Sequence, residues 1–386
     1  MTFVPDELMS QAVDATGVDD FGEPEFRDGL AAYCASLSDE AKLSDLGNAA
    51  IAGTIVGSLT NRLRVVDWAN RHPGVRDERI DAPVVVIGMF RAGTTLLSYL
   101  FDQDPGNRAL LGWEAADTVP PPRPETHRQG PRLDAARERA ALLDQLNPAA
   151  RIVHHEEPDG PTEDIAVMAQ DFKSLSWEAI SNVPSYSEWL LGVDQTSAYR
   201  YHHLVLQTLQ SEGVRGRWTL KSPHHAIALD ALVSVHPDAR LVLLHRDPAV
   251  LCASVCSLIR TLSSTFTDVD HTSYIAGHWT ALLRESIARI ERFRAAHPEH
   301  PICDVLYADL VGDPAAAVAT IYGALGLELA PTTLEAVAAY ADKHPRGEFG
   351  AHRYDLADFG LDADRVRAQF AEYTHRYGVP EERQAP

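Results

Sequence analysis

Apolar residues recur at spacings of three and four over Phe26–Leu37 and again over Leu46–Asn70, with proline kept out of both stretches. That period predicts helices, and residues 1–80 are read as an N-terminal helical region. The period then changes. Val84-Val85-Val86-Ile87 is an unbroken apolar run that reads as a buried strand, and Gly88-Met89-Phe90-Arg91-Ala92-Gly93 turns it into a helix expected to run to about Gln103. The proline run Val119-Pro120-Pro121-Pro122-Arg123-Pro124 cannot sit inside a helix and is expected to form a surface connection or a pocket rim.

Residues 132–212 return to a helical pattern and hold many aromatics, among them Phe172, Trp177, Tyr186, Trp189, Tyr199 and Tyr201. Strands are predicted again at Arg217–Leu220, Arg240–His245 and Ile302–Tyr307, alternating with helices. Alternation of this kind implies an α/β protein with a doubly wound parallel sheet, which binds ligands beyond its strand C-termini. The expected fold is a P-loop-like three-layer structure. A unit spanning 81–386 would follow the helical region and carry a helical insert, at about 115–215, over the open end of the sheet.

Composition narrows the partners. Fifty-five acidic against 34 basic residues give a formal charge of -21, which disfavours nonspecific binding to nucleic acid or to an anionic membrane surface. The four cysteines contain no C-x-x-C pair, the first ten residues do not resemble an export signal, and no run approaches the roughly 18 apolar residues of a membrane span. A cytoplasmic protein is expected. The last six residues, Glu381–Pro386, are expected to fray.

The loop after the first strand has the makings of an anion cradle. Gly88 and Gly93 let the backbone curl so that N–H groups and the positive end of the next helix point at one place, with Arg91, Thr94 and Thr95 adding side-chain donors. A nucleotide triphosphatase carries a lysine directly after the second glycine, where this chain has Thr94. Mg-ATP is therefore not the expected ligand. Two further basic segments leave predicted strand ends, Lys221 in Thr219–His225 and Arg246 in Leu244–Pro248. Their convergence with Arg91, in so acidic a chain, points to a ligand with several negative charges, such as a nucleotide with phosphates at two positions.

Over residues 15–375 the chain resembles the sulfotransferases that use 3'-phosphoadenosine 5'-phosphosulfate, especially their large bacterial branch. The resemblance is carried by Asn61-Arg62-Leu63 with Arg71-His72-Pro73, Gly88–Leu97, Gly112-Trp113-Glu114, Pro161-Thr162-Glu163-Asp164, Arg217–His225 and His236–Pro248 with Ser254. It implies that Arg91, Ala92, Gly93, Thr94 and Thr95 hold the 5'-phosphosulfate, and that Arg246 and Ser254 hold the 3'-phosphate. Arg346 and Arg353, in a late basic segment, would add contacts to the nucleotide. Ala92 replaces the Ser or Thr usual in such loops, at a cost of about 0.5 to 1.5 kcal/mol for one lost hydroxyl hydrogen bond.

Sulfuryl transfer needs a base for the acceptor hydroxyl and cations for the departing phosphate. The resemblance assigns the cations to Lys221 and Arg91 and implies no metal. The base two residues after the lysine in the cytosolic branch is here Pro223, so Glu114, in the place of the glutamate used by the protein-tyrosine branch, is the expected base. His225 and His224 are the alternatives, with only one of the two expected to point inward from a helix. His154 and His155 could line the acceptor site. The acceptor is expected to be a small apolar or aromatic hydroxyl compound, a phenol, alcohol, lipid or glycolipid. A metal-dependent small-molecule kinase and a noncatalytic nucleotide-binding module are the rival readings.

Overall fold

The computed structural model describes residues 2–146, 157–344 and 355–382. Five parallel strands form its sheet, in the order β2-β3-β1-β4-β5: β1 Val84–Gly88, β2 Asn107–Ala109, β3 Arg217–Ser222, β4 Arg240–His245 and β5 Ile302–Leu306. β1 is buried along its whole length, as the unbroken apolar run requires of a strand covered on both faces. Four of the strands were predicted. β2 was not, because three residues at a sheet edge are too few to show a period.

Register fixes where the strands end. Ile87 pairs with Ser222 of β3, and Gly88 pairs with Leu244 of β4, so the chain leaves all three strands side by side. Arg91, Lys221 and Arg246 follow from this pairing onto one edge. Strand order also reverses here, since the chain passes from β1 to β2 on one side of the sheet and from β3 to β4 across β1.

The predicted N-terminal helices are observed at Phe26–Asp39 and Asp45–Arg71, the second capped by the Ser44 hydroxyl on the Gly47 N–H. Their apolar faces join the same continuous core as the sheet. A buried polar latch adds to that packing. Arg62 pairs with Asp171 at 2.9 Å, donates to Phe21 O at 2.9 Å, and lies between the rings of Phe26 and Tyr201. Asn61 donates to Thr118 Oγ1 and Gln170 Oε1, each at 3.0 Å. The Asn61-Arg62 signature thus ties the first helices to the segment after the glycine loop. No helix among the described residues is long and apolar enough to cross a membrane.

Candidate active site

The glycine loop is built by close approach. A Cβ on Gly88 would lie 2.3 Å from Thr94 Cγ2, and one on Gly93 would lie 2.6 Å from the Tyr307 ring, so neither position admits a side chain without movement. Gly93 also takes φ +98°, and Arg91 takes φ +71°, a left-handed conformation that is costly for a residue with a Cβ. The helix Thr94–Phe101 starts directly after this turn, with Gly93 as its N-cap. Its first N–H groups and its positive end point toward the same edge as the cations.

Beyond the strand ends lies a cavity of about 710 Å³ lined by Arg91, Gly93, Thr94, Thr95 and Arg246, and also by Glu163, Tyr307 and His344. Apolar side chains complete its lining, among them Phe90, Ile165, Ala179, Ile180, Leu258 and Leu262. Arg91 Nε donates to Ser254 Oγ at 3.0 Å, which joins the two segments assigned to the two phosphates. Arg246 stacks on Tyr307, 3.9 Å from the ring centre, and donates through Nη1 to Arg91 O at 2.8 Å. Ala92 is fully buried beneath the loop.

Lys221 is not on the cavity wall. Its side chain is 1% exposed and its ammonium contacts Glu163 Oε1 at 3.2 Å, and Glu163 is the group that faces the cavity. The backbone holds that pair in place, because the Asp164 N–H donates to Lys221 O at 2.9 Å. Glu163 received no role from the sequence. Its place in the Pro161-Thr162-Glu163-Asp164 signature was the available signal, and only the fold shows it beside Lys221.

Glu114 lies elsewhere. It is fully buried, takes both Arg108 nitrogens at 2.7 and 3.0 Å, and accepts the Leu111 N–H at 3.1 Å at the start of the short helix Gly112–Ala116. It does not line the cavity. Arg108 belongs to β2, the strand missing from the sequence reading, so the partner that engages Glu114 was invisible there.

Both histidines after Pro223 are fully buried and neither lines the cavity, where one of the two was a candidate to face the pocket. Pro223–Ile227 is a single 3-10 turn enclosed on all sides, so successive residues point in different directions and still meet protein. His225 lies 2.9 Å from the Tyr199 hydroxyl and 3.1 Å from Asp164 Oδ2, away from the cavity wall. Burial tends to raise the Asp164 carboxyl, but the charge of His202, 3.2 Å away, and the contacts of His225 outweigh it and bring it down to about 2. His224 accepts the Leu175 N–H at 3.3 Å and contacts Gln195 Oε1. Burial, then the charges of His225 and Arg289, push it down to about 3.

The insert's aromatics are core. Phe172, Trp177, Tyr186 and Tyr199 are at most 1% exposed, and Phe172 stacks on Trp177 at 5.3 Å. The apolar cavity wall is instead largely aliphatic. Asp247 does not pair with Arg246. It caps the helix Pro248–Ser263 through the Ala249 N–H and takes Arg367 at 2.9 Å. Arg346, Arg353, His154 and His155 lie outside the described residues.

The glycine loop, Arg91, Arg246 and Glu163 surround one cleft beyond the strand C-termini, the place where parallel α/β sheets bind their ligands. The chain belongs to the sulfotransferase family, whose model matches residues 83–331. Over its whole length it is 31% identical to sulfotransferase STF9 from Mycobacterium avium, covering 99% of that chain with a TM-score of 0.90. It is 30% identical to sulfotransferase STF1 from Mycobacterium tuberculosis H37Rv, with 96% of this chain and 99% of that one covered and a TM-score of 0.85. Omega-hydroxy-beta-dihydromenaquinone-9 sulfotransferase Stf3 of Mycobacterium bovis is 22% identical over 310 residues, 77% of this chain and 75% of that protein.

Proposed function

We propose that the protein transfers a sulfuryl group from 3'-phosphoadenosine 5'-phosphosulfate to the hydroxyl of an apolar alcohol. One observation carries the reading: anion donors from two strand ends, Arg91 with Thr94 and Thr95 after β1 and Arg246 after β4, line a single cavity together with Glu163, which is backed by Lys221, and with apolar side chains. Arg91, Thr94, Thr95 and the N–H groups at the helix start bind the 5'-phosphosulfate. Arg246, with Ser254 beside Arg91, receives the 3'-phosphate, and Arg346 and Arg353 are assigned to the same nucleotide.

Glu163 replaces Glu114 as the proposed base. Its carboxylate takes the proton of the acceptor hydroxyl while the new O–S bond forms and the S–O bond to the phosphate breaks. Lys221, buried behind Glu163, holds that carboxylate in place at the cavity, and Arg91 stabilises the charge on the leaving phosphate. Ile165, Ala179, Ile180, Leu258 and Leu262 receive the body of the acceptor, so a long apolar alcohol fits better than a sugar. A relative named for a hydroxyl-bearing menaquinone agrees with that class. The four cysteines are free thiols, which suits the cytoplasm.

Calorimetry with adenosine 3',5'-bisphosphate, without metal, separates this reading from a kinase. Micromolar bisphosphate binding that collapses in Arg246→Ala is the expected result. Preference for Mg-ATP would overturn the donor assignment.

A further inference from the structure

Arg246, the proposed seat of the 3'-phosphate, already holds an anion that belongs to the protein. Its Nε and Nη2 donate to the two carboxylate oxygens of Glu382 at 2.8 and 2.9 Å. This is the two-pronged edge with which arginine grips carboxylates and phosphates. The remaining guanidinium nitrogen donates to Arg91 O, and the Tyr307 ring covers one face. A phosphate seeking the bidentate edge therefore meets Glu382 there.

The segment that carries Glu382 is expected from the sequence to fray, yet its backbone is held. The Glu382 N–H donates to Asp247 Oδ2 at 2.8 Å, and Arg367 bonds the same oxygen at 2.9 Å. Anchorage runs through the main chain, whereas the side chain, 22% exposed, can turn into solvent without undoing it. Fixed backbone and releasable carboxylate together make a counter-ion that leaves and returns.

Resting on the proposed donor, we infer that Glu382 is an internal competitor for the 3'-phosphate seat, which tunes nucleotide affinity and promotes release of the bisphosphate product. A phosphate carries about 1.5 to 2 negative charges near neutral pH against one on Glu382, so it wins the arginine. Its gain is only the difference between the two pairings. A nucleotide without a 3'-phosphate has no group for that edge and leaves the Arg246–Glu382 pair intact. When the bisphosphate departs, the returning carboxylate restores the partner of Arg246.

The test is calorimetry of wild type, Glu382→Gln and Glu381→Gln with adenosine 3',5'-bisphosphate and with adenosine 5'-monophosphate, with thermal unfolding to verify the fold. Glu381 is largely exposed and serves as the control for lost charge. Glu382→Gln is expected to bind the bisphosphate about tenfold tighter, with slower dissociation, while the monophosphate and Glu381→Gln show no change. Unchanged or weaker bisphosphate binding in Glu382→Gln, with wild type binding normally, overturns the inference and leaves the donor reading standing. Equal tightening of both nucleotides also overturns it, since that would be a general charge effect. No bisphosphate binding by wild type overturns the donor reading and the inference with it.

Discussion

A carboxylate acts as a base only where a substrate proton can reach it, and Glu163 and Glu114 differ on that point. Glu163 borders the cavity beside Lys221, whereas Glu114 is enclosed with Arg108 and the Leu111 N–H. Glu163→Gln is expected to lower kcat by about 10²- to 10⁴-fold, with a smaller loss of stability than Glu114→Ala because the amide oxygen still accepts from the buried Lys221 ammonium. Glu114→Ala is expected to lose about 3–5 kcal/mol of stability in urea unfolding, because it strands Arg108 as a buried unpaired charge. The opposite pattern would return the base to Glu114. From sequence alone, Glu114 could be placed only by its distance from the glycine loop, and the three-residue strand that brings Arg108 to it gave no periodic signal. Arg91 and Arg246 were legible because each follows an apolar run long enough to be read as a strand.

At the scale of elements, the strand–turn–helix from Val84 to Phe101 was the most legible piece of the chain, since its apolar run and two glycines leave few alternatives. Gly93→Ala is expected to weaken adenosine 3',5'-bisphosphate binding by about tenfold or more, through strain at φ +98° and a collision with Tyr307, while circular dichroism stays unchanged. Bisphosphate titration of the variant checks this. Less legible was the turn at Pro223–Ile227, where helical reasoning let one histidine face the pocket. A 3-10 turn enclosed by the insert and neighbouring helices buries both, and no local pattern distinguishes that case from a solvent-facing helix start.

For the molecule as a whole, burial of neutral histidines sets an acid limit. His224 and His236 are each held down to about 3, first by burial and then by neighbouring positive charge, against about 6.5 when unfolded. Their contribution is full above pH 6.5 and falls as the pH drops toward 3, because the unfolded chain takes up protons that the folded one refuses. The slope is up to about 1.4 kcal/mol per pH unit for each group. Thermal unfolding from pH 7.5 to 5 should therefore show a falling Tm, with a shallower fall in His224→Gln. An equal slope in the variant would remove His224 from the account. Long-range placement was the part the sequence hid, since the contact of Glu382 with Arg246 joins residues that only the folded chain brings together. Sulfuryl transfer at the cleft bordered by Glu163 is followed with isotopic sulfur, from 3'-phosphoadenosine 5'-phosphosulfate to a long-chain primary alcohol with a metal chelator present. Label in the alcohol with wild type, and at least about a hundredfold less with Lys221→Ala, is the predicted result. Undiminished transfer by Lys221→Ala, or label that never leaves the donor with any alcohol, would contradict it.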